Sequence, residues 1–274
     1  MLILMSRPTF KQFEKDAWEA KASRYNDTWG TVTSQAIEPL LNLIKDPFGL
    51  RLLDAGCGPG HLCKKAEERG MQVTGVDYSE AMVAIAQKNY PGLEFKWGDA
   101  EDLPFAAAAF DIVVLNYLLL HVADQKKTLL EAKRVLKPGG SLIFTNWLPP
   151  SESPGLKLIF DALKEFADMS VIPPAQDIFM FSDSGLASKF FQEEAGFEST
   201  TSLKYETSWH VSDPEVFYTA AQAGTRMGGL IDLQCSEAKN NIKKKILNDI
   251  EKFKTNKAYT VPTPSLIVKA TLAA

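Results

Sequence analysis

The sequence predicts an α/β protein built on a doubly wound, mostly parallel sheet, with helical insertions forming a cap. Three observations predict it. An apolar strand (Leu50, Leu52, Leu53) runs into Asp54-Ala55-Gly56-Cys57-Gly58-Pro59-Gly60, and Leu62, Cys63 and Ala66 then follow at helical spacing. Short apolar strands alternate with amphipathic helices from Leu50 to Asn146, the pattern of successive βαβ units. Acids stand at or just after strand ends, at Asp54, Asp77 and Asp99, which is the edge where open α/β sheets hold ligands.

The elements follow in order. Glycines at every second position let the chain turn sharply and leave no Cβ in a ligand's way. The helix start then offers free N–H groups and a positive dipole end. A dinucleotide fingerprint would need a glycine where His61 stands. Val73, Gly75 and Val76 form a second strand ending in Asp77, about 20 residues past the loop, where a ribose-binding carboxylate is expected. Ser79 is placed to cap a helix carrying Met82, Val83 and Ala86, stopped by Pro91-Gly92. Leu93–Trp97 alternates as a strand and ends at Gly98-Asp99-Ala100. Phe110–Asn116 is a near-continuous apolar run, as a central parallel strand should be. Asp124 caps a helix with Leu129, Ala132, Val135 and Leu136 on its buried side. Lys137-Pro138-Gly139-Gly140 stops that helix, and Ser141–Asn146 is a fifth strand.

These motifs, with Phe110-Asp111 and Arg134-Val135-Leu136-Lys137-Pro138-Gly139-Gly140, closely resemble those of class I S-adenosylmethionine-dependent methyltransferases. The likeness extends to the group that includes the ubiquinone/menaquinone-biosynthesis C-methyltransferases. It is strong over residues 50–147 and only in outline elsewhere. It implies a seven-stranded, Rossmann-like sheet whose final strand inserts antiparallel between the fifth and the sixth. It implies S-adenosylmethionine as cofactor, S-adenosylhomocysteine as product, and a site drawn from Tyr25, Asp54, Gly56, Cys57, Gly58, Asp77, Tyr78, Met82, Asp99, Ala100 and Asn116. In that reading Asp54 suits the cationic groups of the cofactor, directly or through water, and Asp77 accepts from the ribose hydroxyls. The Tyr78 ring lies on the adenine, Asp99 accepts from its amino group, and the Ala100 N–H reaches a ring nitrogen.

Composition agrees. A chain of 274 residues, 45% hydrophobic and 23% charged, is ample for one α/β domain with insertions. A net charge of −4 and a pI near 5.5 give no electrostatic support for a nucleic-acid partner. Lysines in 239–254 are interleaved with Ile242, Ile246, Ile250 and Phe253, which reads as a solvated face of an amphipathic helix. Three cysteines show neither metal spacing nor a disulfide framework, as a cytoplasmic protein would have it. Met1–Met5 is too short and too weakly basic in its flank for a secretion signal, and no run approaches a membrane span.

Three segments read as additions to a single domain spanning 1–274. Residues 6–47 are a helical cover in which Trp18, Ala22 and Tyr25 share a face, over the cofactor or simply packed on the sheet. Residues 148–183, rich in proline and phenylalanine, hold a helix over 155–168 with Leu156, Ile159, Phe160, Leu163 and Phe166 on one side. Residues 212–257 hold two helices. A helix Ser184–Ala195 precedes the late strands. Leu203, Tyr205, Thr207, Trp209 and Val211 alternate with polar residues as one strand with a wet face, and Leu266–Leu272 is the last. The insertions either line one pocket for a medium-sized, partly apolar acceptor or seal a small core of their own.

The chemistry implied is an in-line displacement in which the protein orients the reactants and excludes water. A base is needed only where the acceptor must lose a proton. His121, just beyond the fourth strand, is the candidate, its alternative being to cap or pack that loop. His210 falls on the polar face of its strand, and His61 packs at a helix start. Asn116-Tyr117-Leu118-Leu119 lacks the Asn/Asp-Pro-Pro-aromatic motif of amino-directed nucleic-acid methyltransferases, which counts against base or glutamine amide methylation. The acceptor is therefore expected to be a small molecule. Two rivals are a non-catalytic adenosylmethionine- or nucleotide-binding module and a nicotinamide-dependent oxidoreductase. His61 and Gly98-Asp99-Ala100 argue against the latter.

Overall fold

Leu52 and Leu53 are adjacent and both fully buried, yet they enter different cores. Side chains on a strand alternate faces, so a strand buried on both sides must be apolar throughout. Leu52 packs with Ile37, Leu40, Leu41, Leu62 and Ala66. Leu53 packs with Leu129, Ala132, Val135 and Phe144 on the opposite face. The computed structural model describes residues 8–274, so the Met1–Met5 run and the first two residues of the expected cover lie outside it.

In chain order the elements are α1 (Phe10–Lys21), α2 (Gly30–Thr33), α3 (Ile37–Leu41), β1 (Arg51–Ala55), α4 (His61–Glu67), β2 (Gln72–Asp77), α5 (Glu80–Asn89), β3 (Glu94–Trp97) and β4 (Phe110–Asn116). Then come α6 (Gln125–Val135), β5 (Leu136–Trp147), α7 (Pro154–Phe166), α8 (Ser184–Lys189), β6 (Ser199–Tyr205) and β7 (Ser208–Val211). The last are α9 (Pro214–Ala223), α10 (Thr225–Asp232), α11 (Ser236–Asp249), β8 (Tyr259–Pro262) and β9 (Ser265–Thr271). The sheet has seven strands in the order β3-β2-β1-β4-β5-β9-β6. Strands β1 to β5 pair in parallel, and β9 runs antiparallel to both β5 and β6. The expected fold class and the place of the last strand are both found. The caps at Ser79 and Asp124 are found as well, their side chains accepting from the Met82 and Lys127 N–H groups.

Three expectations need correction. The alternating run 203–211 is two strands in two sheets. β6 ends at Tyr205, and β7 pairs with β8 in a separate two-stranded ribbon. Buried Thr207 makes the break: its hydroxyl donates to Thr263 O, and Thr263 N–H donates to Thr207 O at 2.8 Å. The period of two runs on across the break, because Trp209 and Val211 keep the parity of Leu203 and Tyr205 while burying into another core. Residues 212–257 hold three helices, parted at Gly224 and Leu233-Gln234. The helix from Ser184 closes at Lys189 and tightens into a π-helical turn, Phe190–Glu194.

A third core joins the additions. Helices α7, α9, α10 and α11 and the ribbon bury their apolar sides around Trp29, Trp147, Trp209 and Phe217. This body stands over the carboxyl ends of β4 and β5. Between it and the sheet lies the main cavity.

Candidate active site

Gly56, Gly58 and Gly60 all have positive φ, at +78°, +50° and +85°, a region that suits glycine. The loop is tied to β2: Gly56 and Cys57 N–H donate to Val76 O at 2.7 and 3.0 Å. Gly58 N–H donates to Asp77 Oδ2 at 2.8 Å, while Asp77 Oδ1 accepts from Ser79 N–H at 2.9 Å. Asp77 therefore fixes the loop with one lone pair per oxygen and keeps the others for a ligand. Burial pushes its pKa up, with the two backbone bonds opposing. A Cβ at Gly56 would strike Leu118, at 2.8 Å, and one at Gly60 would strike Phe95, at 2.7 Å, whereas one at Gly58 would meet no protein atom within 4 Å. The space beside Gly58 is a cradle open to a ligand.

One cavity of about 630 Å³ opens there. Of the expected residues, Tyr25, Gly56, Gly58, Asp77, Tyr78, Met82, Asp99, Ala100, Asn116 and His121 line it. Asp54 and Cys57 do not. They sit beneath the loop on a small adjoining pocket of about 40 Å³ that shares Tyr25, Gly56, Gly58 and Asn116 with the main one. Asp54 is buried, its Oδ2 accepts from Cys63 Sγ at 3.3 Å, and its Oδ1 has no partner among the described residues. Burial pushes its pKa to about 7. Of the apolar helix face, Leu156, Phe160 and Leu163 line the main cavity, whereas Phe166 packs into the neighbouring core.

At one end of the cavity, Tyr78 lies 5.7 Å from Trp97, with the Lys11 and Lys15 ammonium groups over its ring. Lys11 pairs with Asp99 and, at 3.3 Å, with Glu101, and Asp99 Oδ1 accepts from Glu101 N–H. Asn116 Oδ1 accepts from Thr145 at 2.7 Å. Tyr117 then takes φ +54°, which is strained for a tyrosine. Its ring stacks on Trp147 at 4.1 Å, and its hydroxyl meets Ser265 at 2.6 Å. Tyr25 meets Thr33 at 2.8 Å, and burial pushes its pKa up to about 12.

His121 is held by residues from two other elements. Its Nδ1 lies 2.8 Å from Glu14 Oε2 of α1, and Thr225 of α10 donates to the same oxygen at 2.7 Å. With Nδ1 facing this carboxylate, Nε2 is the ring nitrogen left without a hydrogen-bond partner among the described residues. Trp18 meets the ring edge-on at 5.0 Å. His61 bonds Tyr90 and Asn26 and stays off the cavity. His210 is exposed. Sequence reasoning missed Lys11, Glu14, Thr225 and Arg226. For Glu14 there was a signal, since it falls on the stripe of Phe10 and Trp18, spaced by four, where a carboxylate is costly without a partner.

This strand order, with a glycine loop after β1 and acids at the ends of β2 and β3, is a Rossmann-like fold of the kind that the motif resemblance implied. Residues 53–144 match the family model described as Methyltransferase domain, as the motifs implied. The chain is 36% identical over 106 residues to a demethylmenaquinone methyltransferase of Renibacterium salmoninarum, covering 39% of this chain and 45% of that one. It is 30% identical over 168 residues to a malonyl-[acyl-carrier protein] O-methyltransferase of Salmonella typhimurium, covering 61% and 66%. The matches span about half the length of most of these curated relatives. In fold it resembles the phosphoethanolamine N-methyltransferase 2 of Haemonchus contortus, solved with phosphomonomethylethanolamine and S-adenosylhomocysteine. That likeness has a TM-score of 0.60 at 17% identity, covering 97% of this chain and 61% of that one. Among the described residues no helix is long and apolar enough to cross a membrane, and no group of His, Cys, Asp and Glu is placed to hold a metal ion.

Proposed function

We propose that the protein transfers a methyl group from S-adenosylmethionine to a small-molecule acceptor. The observation that carries this is one cavity shared by the glycine loop, Asp77, Asp99, His121 and an aromatic wall. The donor set fits the cofactor. Asp77 has lone pairs for a ribose diol, Asp99 and Ala100 offer an acceptor and an N–H to a purine, and Gly58 leaves room beside the backbone. Tyr25, Gly56, Tyr78, Met82 and Asn116 complete the holding residues, with Asp54 and Cys57 beneath the loop. Bound there, the cofactor supplies a methyl carbon already activated by its sulfonium.

The chain's own residues have three tasks. Trp29, Trp147, Leu156 and Phe160 hold the acceptor and exclude water. His121 Nε2 takes a proton where the acceptor must lose one, and Glu14 holds the imidazole in the tautomer that can do so. Neutral Tyr25 adds no charge beside the site. The rival is a non-catalytic binding module. Calorimetric titration with S-adenosylhomocysteine and incubation of a metabolite extract with methyl-labelled S-adenosylmethionine separate the two. The enzyme binds and labels a small product. Binding without transfer makes the module the better reading, and absence of binding removes both.

A further inference from the structure

We propose that Arg226 is an acceptor-binding residue and that the acceptor carries a carboxylate on an apolar body. This rests on the methyl-transfer reading above. Arg226 lies on the cavity wall, between Thr225 and Met227. Two segments hold it there. Its Nη2 donates to Pro173 O at 2.8 Å, and its guanidinium lies 5.4 Å from the Phe10 ring of α1. Its Nη1 is enclosed and has no acceptor among the described residues. Burial lowers its pKa, and Glu14 acts the other way from beyond ion-pair reach.

A guanidinium stays protonated under such pressure, so the wall carries an incompletely paired cation beside Trp29, Trp147, Phe160 and Leu163. An enclosed charge without a partner is costly. A carboxylate relieves it best, because two coplanar oxygens match the guanidinium fork. The field of Glu14 reaches the same point and would oppose a dianionic phosphate more than a monoanion. The aromatic and aliphatic wall takes the rest of the molecule. The plainer reading is that Arg226 only staples α10 to the Pro173 segment.

The protein, first loaded with S-adenosylhomocysteine, is titrated by calorimetry with 3-phenylpropanoate and with its uncharged amide. The parent should prefer the carboxylate by about tenfold or more, the scale of a lost charge-assisted bond. Arg226→Gln should erase that preference while still binding S-adenosylhomocysteine and melting as the parent does. Arg226→Lys, which keeps the charge and loses the fork, should weaken the carboxylate several-fold and leave the amide unchanged. Equal binding of the two probes by the parent, binding of neither, or a preference unchanged in both variants overturns the proposal. So does an Arg226→Gln protein that loses cofactor binding or stability while Arg226→Lys binds both probes as the parent does, for then the residue is only a staple. A parent that fails to bind S-adenosylhomocysteine overturns the methyl-transfer reading instead.

Discussion

Asp77 has two duties at once, anchoring the Gly58 N–H and facing the cavity. Asp77→Ala should therefore weaken S-adenosylhomocysteine by about 1.5–3 kcal/mol. Unchanged affinity by calorimetry in a folded variant would remove the carboxylate from the site. Asp54 tests a different property. Folded, it keeps its proton to about pH 7, whereas unfolded it loses it near pH 4. Between those limits the folded chain binds more protons, so the contribution of Asp54 to stability falls as pH rises and is fully lost above about pH 7. Asp54→Asn, with no proton to lose, should gain on the parent over that interval by up to about 4 kcal/mol and no further above it. Urea unfolding at about pH 5 and about pH 7.5 measures this, and a difference independent of pH refutes it. Glu14→Gln should cut kcat by about 10- to 100-fold for an acceptor that must be deprotonated, with the KM for S-adenosylmethionine unchanged. Added to His121→Ala it should cost little more, as the proposed role of the carboxylate through the imidazole requires. The cavity-lining residues near the glycine loop were legible because strand, turn and acid are contiguous in the chain. Glu14, Thr225 and Arg226 were not, because helices far apart in sequence bring them to the cavity.

Helix α1 is attached by polar contacts and by half-buried aromatics, Phe13 on the cap core and Trp18 on His121. Of its 12 residues only Glu14 is buried. Lys11 reaches Asp99 and Glu101, Glu14 reaches His121, and the Glu19 carboxylate caps α5 by accepting from the Glu80 and Ala81 N–H groups. Elements with little buried apolar surface open at low free energy. Amides of α1 should therefore exchange much faster than those of β4 and β5, and S-adenosylhomocysteine should slow them selectively. Equal exchange with and without the ligand would detach α1 from the site. The ribbon shows the limit of pattern reading at this scale. Alternation reports which residues are buried, not in which sheet, so β6 and β7 merged into one expected strand. What divides them is the Thr207–Thr263 contact, made between positions 56 apart in the chain, which no local period encodes.

For the whole molecule, a doubly wound parallel sheet was legible in the alternation of strands and helices from Leu50 to Asn146, whereas the seven-stranded order and the antiparallel place of β9 came only through the resemblance. The arrangement of the cap was less legible, since apolar helix faces state that they are covered and not by what. A ligand held between cap and sheet stabilises both. S-adenosylhomocysteine at about 100 times its Kd should add about 2.7 kcal/mol and raise the Tm by roughly 5–10 °C. A flat melt would place the cofactor elsewhere. The Thr207–Thr263 clasp has a mechanical consequence. The chain leaves the sheet through it on the way from β6 to β7, and returns through it on the way from β8 to β9. Two strands clasped at their exit make a two-ply strut, far stiffer in bending than a single linker. The strut thus holds the cap over the sheet. With the cap held in place, cofactor and acceptor should share the chamber in a fixed order: S-adenosylhomocysteine should compete with S-adenosylmethionine but not with the acceptor, and competition with both in product-inhibition kinetics would refute that order.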